Sequence, residues 1–173
     1  MNRFGWQKAA FVALFSLSAT GLAAQTFQTK QYDDGGVYEG AFLNGKQNGT
    51  GTYRLPNGYE YTGDWVDGEI RGKGTARFPN GSVYEGDFVA GKPSGTGKIV
   101  FADGGTFEGD WLDGNITGRG IANYANGVVY EGEFRNAMHH GTGTMRSPAG
   151  YVYEGPWING VKAADLKDSM TLR

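Results

Sequence analysis

The sequence predicts an all-β protein: an elongated repeat array of antiparallel β-hairpins forming a single twisted meander sheet. Three observations carry that prediction. Aromatic residues and glycines recur together every 23 residues, glycine is in large excess, and the residues around each aromatic alternate as strands do.

Glycine accounts for 31 of 173 residues, more than twice the usual ~7%. Collagen is excluded because glycine does not fall at every third position and only 5 prolines are present. Simple disorder is excluded by an aromatic content of 14%, since disordered chains are poor in aromatics. Short strands joined by tight turns account for both excesses.

The first element is an address. Residues 1–8, MNRFGWQK, carry Arg3 and Lys8 and no acid, and the uncharged apolar run AAFVALFSLSA follows at 9–19. Small residues then appear at Ala23 and Ala24. Basic start, apolar core and small-residue end make a secretory signal peptide over 1–24, cleaved near Ala23 or Ala24. The apolar run falls short of the about 20 residues that span a bilayer. An exported chain is expected, periplasmic or secreted. Removing Arg3 and Lys8 leaves 14 basic against 18 acidic residues, a net charge of −4. That sign disfavours nucleic acid and strongly anionic membranes as partners. The absence of cysteine removes disulfides, thiolate metal sites and thiol catalysis.

The repeat array comes next. Residues 25–37 read as an N-terminal half-repeat, with Gly35 in the position of a turn. Full units over 38–160 start at Tyr38, Tyr61, Tyr84, Phe107, Tyr130 and Tyr153. Two residues after each start comes a glycine, and four after comes Phe42, Trp65, Phe88, Trp111, Phe134 or Trp157. Gly49, Gly72, Gly95, Gly118 and Gly141 follow, each with a second glycine two residues on. No insertion disturbs the period between 38 and 155. A fixed period of this length marks a stacked repeat architecture.

Within one unit, YEGDF at 84–88 puts Tyr84, Gly86 and Phe88 on one face and Glu85 and Asp87 on the other. AGK at 90–92 turns the chain. The return strand GTGKIVF at 95–101 is expected to place Gly95, Gly97, Ile99 and Phe101 on the ring face. Asn-Gly and Asp-Gly pairs close the turn to the next unit. Ring and glycine on one face explain each other: the missing side chain makes a socket, and the ring shields the bare backbone. A buried ring contributes about 1.5–3 kcal/mol, against roughly 0.5–1 kcal/mol lost at each strand glycine. The opposite face pairs Glu39, Glu85, Glu108, Glu131 and Glu154 with Arg54, Arg77 and Arg146. About eleven strands spaced ~4.8 Å apart would make a strip roughly 50 Å long. The tail, residues 161–173, loses the pattern and is expected to cap the last hairpin as a short helix or strand. Pro156 suits an edge strand.

These units resemble the MORN (membrane occupation and recognition nexus) repeat, as in YEGAFLNGKQNGTG at 38–51 and YEGEFRNAMHHGTG at 130–143. The resemblance covers nearly all of the chain after residue 24. It implies an elongated meander whose aromatic face lines a groove, serving as a scaffold, a dimerisation module or a protein-binding surface. Phospholipid binding has been proposed for the family. Thr62, Ala137 and Pro156 depart from the pattern.

No catalytic arrangement emerges, and no cofactor or metal is expected. His139 and His140 are adjacent, so their side chains diverge. The row Asp64, Asp87, Asp110 and Glu133 is a product of repetition that points away from the rings. GKPSGTGK at 91–98 lies in a hairpin, without the strand-to-helix setting of a phosphate loop. The chain therefore reads as a non-catalytic scaffold that binds a protein partner. Its expected anchors are Tyr61, Trp65, Tyr84, Phe88, Phe107, Trp111, Tyr130 and Phe134, because rigid rings bury area at low entropic cost. The alternatives are an envelope glycan stacked on the rings, a phospholipid headgroup, or self-association through sheet edges.

Overall fold

The computed structural model describes residues 24–166. The expected signal peptide, up to residue 23, and residues 167–173 of the expected cap lie outside the described residues. The described residues form thirteen antiparallel strands in one sheet, in strict sequence order. They are β1 (Thr26–Gln31), β2 (Val37–Leu43), β3 (Lys46–Arg54), β4 (Glu60–Val66), β5 (Glu69–Arg77), β6 (Val83–Val89) and β7 (Lys92–Val100). The sheet continues with β8 (Thr106–Leu112), β9 (Asn115–Asn123), β10 (Val129–Arg135), β11 (Met138–Arg146), β12 (Val152–Ile158) and β13 (Val161–Lys162). The extra strands beyond the expected eleven or so are β1, which pairs along β2, and the two-residue β13. Residues 163–166 are helical.

Each of the five units that start at 38 to 130 is a hairpin of one seven-residue and one nine-residue strand. Its two-residue turn has positive φ at both positions, as at Ala90 (47°) and Gly91 (77°), the geometry whose twist suits adjoining strands. The unequal strand lengths are absorbed by a bulge. From the pair Gly86–Gly97 to the pair Phe88–Pro93, the opening strand advances two residues and the return strand four. The same shift recurs in the other full hairpins.

The bulge corrects one expectation. Gly97 lies under the Tyr84 ring as foreseen, but Gly95 does not share that face. It sits in the bulge at a φ of 110°, and a Cβ there would meet the Asp87 Cβ at 2.8 Å. Positive φ reverses the direction in which the residue points, so the two glycines serve different ends: Gly97 makes room and Gly95 makes the bend. Phe101, expected to continue the return strand, instead opens the inter-unit turn, where its N–H donates to the Gly105 carbonyl at 2.8 Å.

The hydrophobic core lies on one face of this single sheet. Tyr38, Phe42, Tyr61, Trp65, Tyr84, Phe88, Phe107, Trp111, Tyr130, Phe134 and Trp157 form one continuous buried cluster. The rings meet edge to face, within a unit (Tyr84–Phe88, 5.1 Å) and between units (Tyr61–Phe88, 4.9 Å; Tyr84–Trp111, 5.0 Å). That geometry adds about 0.5–1.5 kcal/mol per pair beyond the area buried.

Candidate functional site

The structure places all eight expected anchor residues in the core. Tyr61, Tyr84 and Tyr130 are fully buried, Phe107 and Phe88 nearly so, and Trp111 is the most exposed of the eight at 8%. They are brought together in one row, but with no open ring face. The physical reason lies in the socket. A Cβ at Gly97 would fall 2.2 Å from the Tyr84 Oη and 2.4 Å from its Cζ, so the phenol ring lies down on the sheet instead of standing off it. Gly51, Gly74 and Gly143 hold Tyr38, Tyr61 and Tyr130 in the same way, and Gly120 holds Phe107.

The polar atoms of the rings are spent inside the sheet. The hydroxyls of Tyr38, Tyr61, Tyr84 and Tyr130 donate to the backbone carbonyls of Ala41, Asp64, Asp87 and Glu133 at 3.0–3.1 Å. These carbonyls stand at the bulge, where the regular ladder is interrupted. Burial pushes the Tyr38, Tyr84 and Tyr130 phenols up to about 12, which keeps them protonated donors. Trp65, Trp111 and Trp157 donate from Nε1 to the carbonyls of Gly51, Gly97 and Gly143 on the neighbouring hairpin, at 3.1–3.3 Å.

The carboxylate row has a structural task that sequence reasoning missed. Asp64, Asp87, Asp110 and Glu133 each accept a backbone N–H from the bulge of the return strand: those of Lys73, Thr96, Arg119 and Thr142, at 2.7–3.3 Å. Each acid thus closes the bulge of its own hairpin. The Lys73 ammonium, 2.7 Å away, and then the Thr96 N–H hold the Asp87 carboxyl below the usual range. The signal was present in the sequence as an acid eight residues before every bulge glycine from Gly72 onward. His139 is likewise committed. Its ring stacks on Tyr130 at 3.6 Å, its Nε2 is 2.7 Å from the Tyr124 hydroxyl, and burial lowers its pKa to about 4. Among the described residues no group of three or more acidic, histidine or cysteine side chains is placed to hold a metal.

The open surface is the opposite face. Between β5 and β12 it is concave and forms a broad groove of about 1470 Å3. Four basic side chains line it (Lys73, Lys98, Arg119 and Arg146) together with four acidic ones (Glu85, Glu108, Glu131 and Glu154). The charges form loose pairs, Lys98–Glu108 at 3.8 Å and Arg146–Glu131 at 3.9 Å, and these side chains are more than half exposed. Thr75, Thr96, Thr142, Thr144 and Ile121 stand between them. Exposed pairs of this kind contribute little to stability.

Comparison with known proteins completes the picture. The family described as MORN repeat matches residues 38–58, 61–83, 84–106, 107–129 and 130–150. A solved structure from Drosophila melanogaster is similar: the SAS-4 (dCPAP) TCP domain in complex with a proline rich motif of Ana2 (dSTIL). It is 20% identical over 76% of this chain and 72% of that one, with a TM-score of 0.47. No curated protein matches the chain.

Proposed function

The chain belongs to the MORN repeat family, whose repeats are non-catalytic binding scaffolds, and we propose that it is an exported scaffold that docks a protein segment on its concave polar face. The observation that carries this reading is the make-up of the groove, with four cationic and four anionic side chains spread over eight strands. A surface balanced in this way offers no net field to a polyanion such as nucleic acid or an anionic bilayer. It does offer alternating partners, ~4.8 Å apart from strand to strand, to a polypeptide of mixed charge. Glycan stacking on the ring row requires open ring faces, and the rings of that row are buried. Export rests on the reading of residues 1–24 and is tested by cell fractionation.

The experiment compares protein capture by the immobilised chain with capture by a folded Lys98→Glu/Arg119→Glu variant, at low and high salt. A defined partner that is retained by the parent, lost by the variant and weakened by salt supports the proposal. Equal capture by both proteins refutes it. So does sedimentation with membrane or cell-wall material that is indifferent to the substitutions. Light scattering at high concentration tests self-association.

A further inference from the structure

The array repeats over two units as well as over one. Around the ring row, residues 46 apart match in size: Trp65 and Trp111, Ile70 and Ile116, Ala76 and Ala122, Phe78 and Tyr124, Phe88 and Phe134. The same wall is therefore built twice. In the first copy Tyr59 packs on the core, 5.9 Å from the Phe78 ring, and Ala76 is wholly buried. In the second copy the residue at the place of Tyr59 is Gly105, and there the structure has a cavity of about 260 Å3. Phe107, Ile116, Ala122, Tyr124, Phe134 and Ala137 line it, and Asp103, Thr106 and Asn123 add polar atoms.

Backbone conformation does not demand glycine there, although a Cβ would press on Asp103 Oδ1 at 3.1 Å and on the Asn123 carbonyl at 3.3 Å, so these neighbours must give by a few tenths of an ångström. Gly105 is not among the glycines with positive φ. Its turn has the same bonds as the turn at Tyr59: Gly105 N–H to Asp103 Oδ1 and Tyr59 N–H to Asn57 Oδ1, both at 2.9 Å. What glycine changes is the missing side chain, and what is missing, by the measure of the sister copy, is a phenol ring. An apolar cavity of about 150 Å3 is already large enough to take benzene.

We propose that this cavity is a binding site for one phenol ring, presented by a partner as a tyrosine side chain. The ring replaces the one that Tyr59 supplies internally two units earlier, and a neighbouring polar atom meets its hydroxyl. The proposal is independent of the reading of the polar face, because the cavity opens among the residues of the ring face.

The test is titration of the purified protein with p-cresol, followed by the NMR signals of the Ala122 and Ala137 methyl groups. Saturable shifts at both methyls are expected, with a dissociation constant on the order of 1 mM for so small a ligand. Gly105→Tyr should fill the cavity from within and weaken binding at least tenfold. Should that variant fail to fold, Ala122→Ile, which carries the side chain of Ile99 one unit earlier, blocks the cavity from its wall and is followed at the Ala137 methyl. The proposal is overturned if p-cresol causes no saturable shift, if the shifts fall elsewhere, or if the filled variant binds as the parent does.

Discussion

The socket arrangement makes a prediction whose size depends on the partner residue. In Gly97→Ala the new Cβ would lie 2.2 Å from the Tyr84 Oη, whereas ordinary contact begins at 3.4 Å, so the phenol must move by about 3.4 − 2.2 = 1.2 Å. That movement breaks the 3.0 Å bond from the hydroxyl to the Asp87 carbonyl, at a cost of about 1 kcal/mol. It also disturbs the ring contacts with Phe88 and Trp111, and overpacking adds about 1–3 kcal/mol. A loss of about 3 kcal/mol is expected. In a Tyr84→Ala background the three atoms nearest to that Cβ are gone. The cost of Gly97→Ala should then fall to what the backbone alone imposes, since at the matching socket a Cβ on Gly120 would also meet the Glu108 carbonyl at 2.8 Å. The assay is urea unfolding of the parent, both single variants and the double variant, with the coupling taken from the cycle. A Gly97→Ala cost that is the same with and without the Tyr84 ring would refute the socket.

Three further outcomes follow from the same geometry. Phe107 is the one core start residue from 38 to 130 without a hydroxyl; Phe107→Tyr should donate to the Asp110 carbonyl as its counterparts do and raise stability by about 1 kcal/mol, read by thermal or urea unfolding. Ala90 sits at a φ of 47°, where asparagine is better tolerated; Ala90→Asn should raise the urea midpoint by an amount equivalent to about 0.5–1 kcal/mol. His139 has a folded pKa of about 4, below its ordinary 6.5, so the unfolded chain takes up its proton first. Its contribution is intact above pH 6.5 and is lost as the pH falls toward 4. Allowing for its partial exposure, that is about 1–2 kcal/mol, and the slope should be absent in His139→Gln, which carries the side chain found at Gln47.

The all-β meander was legible in the sequence because every level repeats together. Ring, glycine and turn share one period, and each local choice agrees with the same hairpin. The bulge was not legible from alternation alone. Counting by twos carries Gly95 to the ring face, and only its positive φ, with Asp87 waiting opposite, reveals the reversal. The alternation of units was written in the sequence and passed over. Units with Trp65 or Trp111 carry Ala76 or Ala122, and units with Phe42, Phe88 or Phe134 carry Tyr53, Ile99 or Met145.

The burial of the expected anchors has the same origin. Residues four apart on a strand are separated by about 13 Å, so Tyr84 and Phe88 read from the sequence as separate posts that a partner can grip. In the structure their ring centroids are 5.1 Å apart. The gap is closed because Gly86 and Gly97 leave the sheet bare between them and the phenol lies along it, pointing its hydroxyl at the bulge. Once a ring lies flat, its neighbours cover it, and a single sheet acquires a core without a second layer. The opposite face keeps its groove, walled by threonines and opposed charges, with Gly86 and Gly97 among its lining. Hence the residues that look most like a binding site in the sequence are those that hold the sheet together, and the face that looks merely solvated is the one that carries the groove.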